Sequence, residues 1–489
     1  PKIKFMSVSK NIKPGVANSI TIRAKYPNTT GMLAKIINTI SKNGGDMSAI
    51  DVVSIEGDFI VRDLTINTKG NDHAEKIIEK LNTLNEVNIQ NVSDQTFLLH
   101  LGGKIEVNST FDISTRDDMS KAYTPGVGRI SSHIYQTPEA AWALTTKSHT
   151  IAVVTDGSAV LGLGNIGPEA ALPVMEGKAM ILKNFANVDA WPICLNTQDQ
   201  DEIVDIVKAI SPGFGGINLE DISAPRCFYI EQRLKQEIDI PVFHDDQHGT
   251  AIVVLAALIN SLKIVNKKPK DLKVVIAGVG AAGIACSNIL MDFGVKNIIG
   301  IDRQGIVSKN RNYNDNIYKK NFAEKTNPEN IKGDLKKALK NADCFIGLAG
   351  PNIVSKEMLK QMRPQSIVFA LANPIPEIMP ELIPSNVKIM ATGRSDYPNQ
   401  VNNSLAFPGI FKGILEVRAK TITDKMKISA AKAISSVIPR RLLSSDFIIP
   451  SVFDKNVVKS VSENIAAAAI KEGVSRKKKT GVNYYSIKN

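Results

Sequence analysis

The pattern of apolar and polar positions changes period several times in the first 95 residues. Apolar side chains alternate with polar ones over residues 20–26, as in a half-buried strand, and then recur at helical spacing over residues 33–40. Both patterns return further on, and they predict strands at residues 48–55, 59–66 and 87–92 and a helix over residues 74–84. The order strand–helix–strand–strand–helix–strand is the ferredoxin-like arrangement. We therefore predict a small βαββαβ domain at the start of the chain.

From about residue 96 onwards, short apolar runs alternate with helical patterns and glycine-rich turns, which is typical of α/β architecture. Strands are predicted at residues 150–155, 190–195, 216–219 and 241–243. A new strand–helix–strand unit begins after the basic stretch 267–270. We therefore predict an α/β chain of three domains, 1–95, 96–247 and 248–489. The last would be a doubly wound, Rossmann-type sheet followed by C-terminal helices.

The composition agrees with a globular protein that has several cores, because 43% of its 489 residues are hydrophobic and 22% are charged. The longest apolar run, residues 251–259, is far shorter than the roughly 18 residues that a membrane span needs. Residues 1–10 lack the apolar core of a signal peptide. We therefore expect a cytoplasmic protein without a membrane partner.

The formal net charge of +12 bears on the choice of partner. The dense basic run at residues 476–479 is typical of a solvated tail. The sequence lacks the interleaved basic and aromatic residues that would argue for nucleic-acid binding. A small anionic substrate fits the charge.

The four cysteines are widely spaced and form no C-x-x-C pair, which predicts buried, reduced thiols rather than a zinc site or disulfides.

A glycine-rich turn follows the first strand of the last domain. Strand 272–277 leads into the run Gly278-Val279-Gly280-Ala281-Ala282-Gly283, after which a helix begins. Here the first glycine permits a tight turn, the second lets the backbone approach a pyrophosphate, and the third allows close helix packing. The next strand ends at Asp302, about 20 residues further on, where a carboxylate accepts hydrogen bonds from ribose hydroxyls. Asp302 favours NAD, while Arg303 beside it leaves NADP open.

Three later strands are predicted at residues 344–348, 367–371 and 387–390. Gly350, Asn373 and Gly393 follow their carboxyl ends, at the edge where doubly wound sheets place their ligands.

Two single residues of the second domain have acid–base potential. Tyr123 precedes a Pro-Gly turn and could donate a proton, although such a tyrosine is more often a packed aromatic with a satisfied hydroxyl. Lys178 lies on a predicted helix, where a lone lysine is usually a solvated surface group. A catalytic role for Lys178 would need a lowered pKa, from burial or from a nearby cation.

Acidic pairs follow two predicted strands of the same domain. Glu220-Asp221 come directly after strand 216–219, and Asp245-Asp246 come after strand 241–243. Carboxylates on two strand ends can converge on one hard cation, and Mg²⁺ or Mn²⁺ prefers such oxygen ligands. The alternative is two unrelated pairs of loop acids. His244 and His248 flank the second pair without a partner at metal-ligand spacing.

Several sequence motifs occur together in a fixed order. They are YTPGVG from Tyr123, VTDGSAVLGLGNIG, NLED, FHDDQHGTA, the glycine run, FALANP, and the pair Asn402-Asn403 ahead of Phe407-Pro408-Gly409. From about residue 100 to at least 420, this order resembles the malic enzyme family, in its shorter bacterial form. The first domain, with Pro27 to Leu33 ahead of its first helix, resembles an ACT domain, a module that often binds a small effector such as an amino acid. A structural or dimerising module without a ligand is the alternative.

The resemblance implies a role for each matching residue. Tyr123 would be the general acid, Lys178 the general base that also contacts substrate, and Asp245 a member of the catalytic cluster. Glu220, Asp221 and Asp246 would hold Mg²⁺ or Mn²⁺. Asn373 and Asn403 would bind polar groups of the substrate, with Asn373 also near the cofactor.

The implied reaction is oxidation of malate by NAD or NADP, followed by loss of CO₂ to give pyruvate. The longer animal enzymes carry an arginine within the TDG segment that binds a substrate carboxylate, whereas this chain has Ser158-Ala159-Val160 there. What neutralises the distal carboxylate therefore stays open. The resemblance also implies a homo-oligomer, a dimer or larger.

Three alternatives remain at the level of sequence. A malolactic enzyme shares these motifs but retains the cofactor and releases lactate. A catalytically inactive protein that senses metabolites through its first domain would not need the intact Tyr, Lys and acid set. A different hydroxy-acid or amino-acid dehydrogenase would usually need no metal.

Overall fold

The structure is a computed structural model that describes residues 14–160, 162–314 and 316–477. Residues 1–10, which the sequence predicts to lack a signal-peptide core, lie outside these ranges, as do residues 478 and 479 of the basic run. The chain divides into two compact units, Pro1–Glu106 and Val107–Asn489.

The first unit is a four-stranded antiparallel sheet with two main helices. Its elements are β1 (Gly15–Pro27), α1 (Met32–Lys42), β2 (Asp46–Glu56), β3 (Phe59–Thr68), α2 (Asn71–Asn82), β4 (Asn88–Asp94) and α3 (Gln95–His100). The strand order is β2-β3-β1-β4. Ile22 and Leu64 face each other across β1 and β3, and both are fully buried against Ile36 and Ile77 of the helices. The observed order of elements is the ferredoxin-like βαββαβ arrangement that the apolar periodicity predicts.

The first unit continues past the predicted boundary at residue 95. Helix α3 stays with the sheet because Gln95 Nε2 donates to Thr21 Oγ1 at 2.6 Å and Thr96 Oγ1 donates to the carbonyl of Ala17 at 2.9 Å. These contacts cross 74 and 79 residues of sequence, so the local pattern does not contain them.

The second unit begins with three helices and a parallel four-stranded sheet. Its first elements are α4 (Arg116–Ala122), α5 (Gly126–Gln136), α6 (Ala141–Leu144), β5 (Thr150–Thr155), α7 (Pro168–Ala186), β6 (Asp189–Cys194), α8 (Gln200–Ile210), β7 (Gly216–Leu219), α9 (Arg226–Glu237), β8 (Val242–His244) and α10 (Asp245–Val265). The strand order is β6-β5-β7-β8. All three pairings are parallel, so the carboxyl ends of the strands meet at one edge.

A six-stranded sheet forms the rest of this unit. Its elements are β9 (Lys273–Ala277), α11 (Ala281–Asp292), β10 (Asn297–Asp302), β11 (Gly305–Ile306), α12 (Ile317–Lys325), α13 (Leu335–Leu339), β12 (Cys344–Gly347), α14 (Lys356–Leu359), β13 (Ser366–Ala370), β14 (Val387–Thr392), α15 (Phe407–Glu416), α16 (Asp424–Ser436) and α17 (Lys455–Lys471). The order β11-β10-β9-β12-β13-β14 is that of a Rossmann-type sheet. Strand β11 is antiparallel and only two residues long, which is too short to give a periodic signal.

One helix in the described part of the chain is long and apolar enough to cross a membrane. This helix, α10, has a mean hydropathy of 1.7, but 72% of its apolar window is buried inside the protein. It packs against α11 and α16, as a core helix does.

All four cysteines are free, as predicted; Cys227, Cys286 and Cys344 are buried, while Cys194 is half-buried.

Candidate active site

The two acidic pairs meet at the carboxyl edge of the parallel four-stranded sheet. Leu219 at the end of β7 lies opposite His244 at the end of β8, so the residues that follow the two strands are neighbours. One carboxylate oxygen from each of Glu220, Asp221 and Asp246 lies within 4.8 Å of the other two. The backbone N–H of Asp221 also donates to Asp246 Oδ2 at 2.9 Å. The three predicted metal ligands therefore form one cluster.

The chemistry of this cluster fits a divalent cation. Glu220 and Asp221 are each 3% exposed, so their charges are largely removed from water. Burial raises the pKa of Glu220 well above its usual value; Lys178 opposes this rise, and the three neighbouring aspartates add to it. A hard cation would relieve this concentration of negative charge, and three carboxylate oxygens are ligands that Mg²⁺ and Mn²⁺ prefer.

Lys178 is drawn into the same cluster from the middle of α7. It is 8% exposed, its Nζ donates to Asp245 Oδ2, and the same atom lies 3.0 Å from Glu220 Oε1. The ammonium also lies 4.3 Å from the centre of the Phe407 ring. Burial lowers the pKa of Lys178, but Asp245 and Glu220 outweigh this effect and raise it above the usual value. The lysine is therefore an ammonium in the arrangement described, and it is not a solvated surface group.

Asp245 is fully buried and connects the lysine to Asn403. Asn403 Nδ2 donates to the same Oδ2 atom of Asp245 that accepts from Lys178. Gly249, one turn later in α10, is required by close packing, because a Cβ atom at that position would lie 1.9 Å from Asp245 Oδ1. The structure thus brings together Lys178, Asp245, Asn403 and the three predicted metal ligands.

Tyr123 is not brought to this cluster. It follows α4, is 65% exposed, and no hydrogen bond joins its hydroxyl to Lys178 or to the acids within the described ranges. Neither α4 nor α5 contains a buried residue. The motif that suggested Tyr123 therefore lies on an open surface of the second unit.

Asn373 lies at the carboxyl edge of the six-stranded sheet, just after β13. It is half-buried, and a Cβ atom on Gly393, which follows β14, would approach its Nδ2 to 2.7 Å. Its backbone oxygen faces Gly162 of the TDG segment. Among the residues that the structure describes, no hydrogen bond connects Asn373 to Lys178 or Asp245.

The glycine-rich turn has the geometry that binding of a pyrophosphate requires. Gly278 has a φ of 102°, and a Cβ atom there would lie 2.3 Å from the carbonyl oxygen of Leu348. At Gly283 a Cβ atom would meet the Gly278 carbonyl at 1.9 Å. Helix α11 begins at Ala281-Ala282, with its N-terminus at the turn. A cavity of about 970 Å³ opens beside Gly278, Val279 and Gly280 and extends to Asp302.

Asp302 at the end of β10 is held by two cations. Arg311 donates to its Oδ2, and Lys319 Nζ lies 3.0 Å from the same oxygen. Burial raises the pKa of Asp302, but hydrogen bonds from Arg311 and Lys319 lower it by a larger amount, so the net shift of the pKa is downward. Arg303 lines the same cavity. The lining of the cavity therefore carries two acids, Asp302 and Asp334, and three cations.

Sequence reasoning missed several residues of these sites. Asn218 Nδ2 donates to Glu220 Oε2 at 2.8 Å, which the two-residue spacing on one strand could have indicated. Arg226 lies 3.0 Å from the buried Asp156 of the TDG segment. Arg311 and Lys319 reach Asp302 from later loops and helices, and no local pattern marks them.

The fold and the site together define a class of enzyme, one with a dinucleotide-binding sheet and a cluster of three carboxylates that fits a divalent cation. Two family models match, the malic enzyme N-terminal domain at residues 102–235 and the malic enzyme NAD binding domain at residues 247–474. The NAD-dependent malic enzyme of Geobacillus stearothermophilus is 55% identical over 472 residues, which are 96% of this chain and 98% of that protein. The bifunctional malic/malolactic enzyme of Bacillus subtilis is 51% identical over 76% of this chain and 92% of its own length.

A solved structure gives the same result. The NAD-dependent malic enzyme of Thermotoga maritima is 49% identical, with a TM-score of 0.74, over 76% of this chain and 99% of that one. The chain therefore belongs to the malic enzyme family, as its motifs indicate, and its Rossmann-type sheet is the NAD-binding domain of that family.

If Asp302 binds the cofactor ribose, replacing it with asparagine is expected to raise the KM for NAD about tenfold, because the ribose hydroxyls would lose a charged acceptor. The KM for NADP should stay level or fall, since Arg311 and Lys319 would be released to face a 2′-phosphate. Initial rates with each cofactor measure the ratio. Asp271→Asn, an exposed acid before β9, is the control. An equal loss with both cofactors would contradict this role of Asp302.

Proposed function

We propose that this chain catalyses the oxidative decarboxylation of malate to pyruvate and CO₂, with NAD as the preferred electron acceptor and Mg²⁺ or Mn²⁺ as the metal. The observation that supports this proposal most directly is the contact of the buried Lys178 ammonium with Asp245 and Glu220, beside a cluster of three carboxylates. Glu220, Asp221 and Asp246 would hold the metal. Gly278 to Gly283 and Asp302 would hold the cofactor, beside the cavity that Gly278, Val279, Gly280 and Asp302 line. Asn373 is assigned to the cofactor from its motif position.

The proton transfers are assigned to side chains of the chain itself. With a cation on the carboxylates, Lys178 would be a neutral amine that takes the proton of the C2 hydroxyl. Asp245, which is itself held by Asn403, would fix the position of that amine. A cation on the carboxylates would supply positive charge that polarises a substrate oxygen and counters the rise in the pKa of Lys178. Hydride acceptance is the chemistry that the nicotinamide supplies. We assign the final protonation of C3 to Tyr123 and recognition of the polar groups of malate to Asn373 and Asn403, from their motif positions.

Incubating the enzyme with malate, NAD and Mn²⁺ is expected to give one NADH and one pyruvate for each malate consumed, with activity lost in excess chelator. The rate with NAD should exceed the rate with NADP. Absorbance of NADH and an independent assay for pyruvate and lactate measure the products. Lactate without free NADH would assign a malolactic reaction, and activity that survives chelation would assign a metal-independent dehydrogenase. No reaction under any of these conditions would favour a non-catalytic sensor.

We further propose that residues 1–95 form an ACT domain that binds a small effector, commonly an amino acid. The ferredoxin-like topology supports this assignment. The loop from Pro27 to α1 supports it too, because Gly31 there has a φ of 96° and a Cβ atom would meet nothing within 4 Å, so the loop is open. Residues 96–247 and 248–489 would then be the catalytic and cofactor-binding domains.

Replacing Gly31 with valine is expected to abolish the response to an amino-acid effector while keeping the basal rate within about twofold, because a β-branched residue is strained at that φ. Each of the twenty amino acids is first screened against the full chain for a change in melting temperature and in rate. Gly57→Ala, at the turn between β2 and β3, is the control with a positive φ of 61°. If none of the twenty has an effect, the domain is structural.

We also propose a homo-oligomer that works in the cytoplasm. Exposed apolar side chains on α5 and just before α4 support the oligomer, because another copy of the chain could cover them; they include Phe111, Ile113, Val127 and Ile130. The burial of α10 supports the location, because the apolar window of this helix is used in the core.

A further inference from the structure

The first turn of α10 carries two of the acids of the site, and no side-chain cap hydrogen bond holds its N-terminus. Asp245 and Asp246 are its first two residues, and His244, which precedes them, makes no side-chain capping hydrogen bond to the helix. A helix end without a cap leaves backbone N–H groups unsatisfied and is free to fray. Precise placement of the two aspartates therefore depends on contacts from another element.

Glu231 of α9 provides such contacts. It is 6% exposed, and its two carboxylate oxygens accept from consecutive residues of α10. His248 Nε2 lies 2.7 Å from Glu231 Oε1, and Gln247 Nε2 donates to Glu231 Oε2 at 3.2 Å. Lys235, one turn further along α9, lies 2.6 Å from Oε1 and balances the charge. Because a carboxylate only accepts hydrogen bonds, Nε2 of His248 is assigned as the donor to Glu231.

Four consecutive residues thus divide between two tasks. Asp245 contacts Lys178 and Asn403, and Asp246 joins the metal cluster, while Gln247 and His248 are both bound by Glu231 on the opposite side of the turn. A carboxylate that accepts from two adjacent side chains fixes the rotation of the turn as well as its distance from α9. The rotation of this turn determines where Asp246 points.

We propose that Glu231 is a positioning residue for the metal site, one that acts through Gln247 and His248 to aim Asp246 at Glu220 and Asp221. This inference rests on the proposed metal-dependent function. If Glu231 were only part of a structural ion pair, its removal would leave metal affinity unchanged. As a positioning residue, its removal changes metal affinity although the residues of the α10 turn are unaltered.

The test compares Glu231→Ala and Glu231→Gln in the full chain. Mn²⁺ binding without substrate is followed by the electron paramagnetic resonance signal of free Mn²⁺, and NAD binding is followed by fluorescence. Glu231→Ala is expected to weaken Mn²⁺ binding on the order of tenfold, with NAD binding unchanged, because the turn that carries Asp246 loses its contacts with α9. Glu231→Gln keeps an acceptor for His248 and should recover most of the affinity. Glu237→Gln is the matched control, because this acid on the same helix pairs only with the surface cations Arg233 and Lys208 in the described structure.

The variant Gln247→Ala/His248→Ala removes the same contacts from the other side and is expected to weaken Mn²⁺ binding to a similar extent. It also decides the question if Glu231→Ala does not fold. Mn²⁺ affinity within twofold of the parent in either folded variant, even with a lower melting temperature, would overturn the inference. A parent enzyme that binds no Mn²⁺ would overturn the proposed function itself, which is a separate result.

Discussion

Replacement of Lys178 by alanine is expected to reduce the rate of malate oxidation about 1000-fold, which corresponds to about 4 kcal/mol of activation free energy. The buried Lys178 side chain contacts Asp245 and Glu220 at the carboxylate cluster, and under the proposed function alanine would leave no lysine there to accept the hydroxyl proton. The dissociation constant for NAD should change little, because the glycine-rich turn belongs to another sheet. Initial rates at saturating Mn²⁺ and NAD fluorescence measure the two effects.

Lys183→Ala is the matched control for this experiment. Lys183 lies on the same helix, α7, but its side chain is 55% exposed and pairs with Asp189 at the surface. Its removal should leave the rate within about twofold, since exposed ion pairs contribute little. If the Lys178 variant turned over malate at the rate of the parent, the general base would have to be another residue.

Replacement of Asp246 by asparagine is expected to weaken Mn²⁺ binding by about two orders of magnitude, because one of the three carboxylates loses its charge. The variant should fold, since an amide oxygen can still accept the hydrogen bond from the backbone N–H of Asp221. Activity should return in part at high Mn²⁺ concentration. Rates measured over a Mn²⁺ titration give the half-saturating concentration.

Asp205→Asn on α8 is the control for a general loss of negative charge, because Asp205 is exposed. Its half-saturating Mn²⁺ concentration should match that of the parent. If the Asp246 variant also matched the parent, Glu220 and Asp221 would bind the metal without Asp246. Asp246 would then not be a metal ligand.

The sequence predicts the strands and the acid cluster well because both follow from short-range rules. Strands β5 and β7 have the bounds that the apolar runs predict, and acids placed after parallel strands must share an edge. The approach of Lys178 is different, since it depends on how α7 is rotated against the sheet. Sequence spacing does not distinguish a solvated Lys178 from a buried one. The packing of α7 in the fold is what buries this side chain.

Other residues could not be found from sequence because their partners are remote. Glu231 and His248 are 17 residues apart and lie on two different helices. Asp302 and Lys319 are also 17 residues apart, with β11 between them. In both cases a charged side chain looks like an ordinary surface group until the fold supplies its partner. For Tyr123, the assigned role rests on its motif, because its segment has no buried side chain.

The hydrogen bond between Asn403 and Asp245 joins positions that are 158 residues apart in the chain. Asp245 follows the last strand of the parallel four-stranded sheet, whereas Asn403 comes after the last strand of the cofactor-binding sheet. A hybrid gene that joins the first half of one relative to the second half of another, with its crossover between the two sheets, would separate these partners. Such a hybrid keeps this hydrogen bond only if the parent of its first half supplies the aspartate and the parent of its second half supplies the amide.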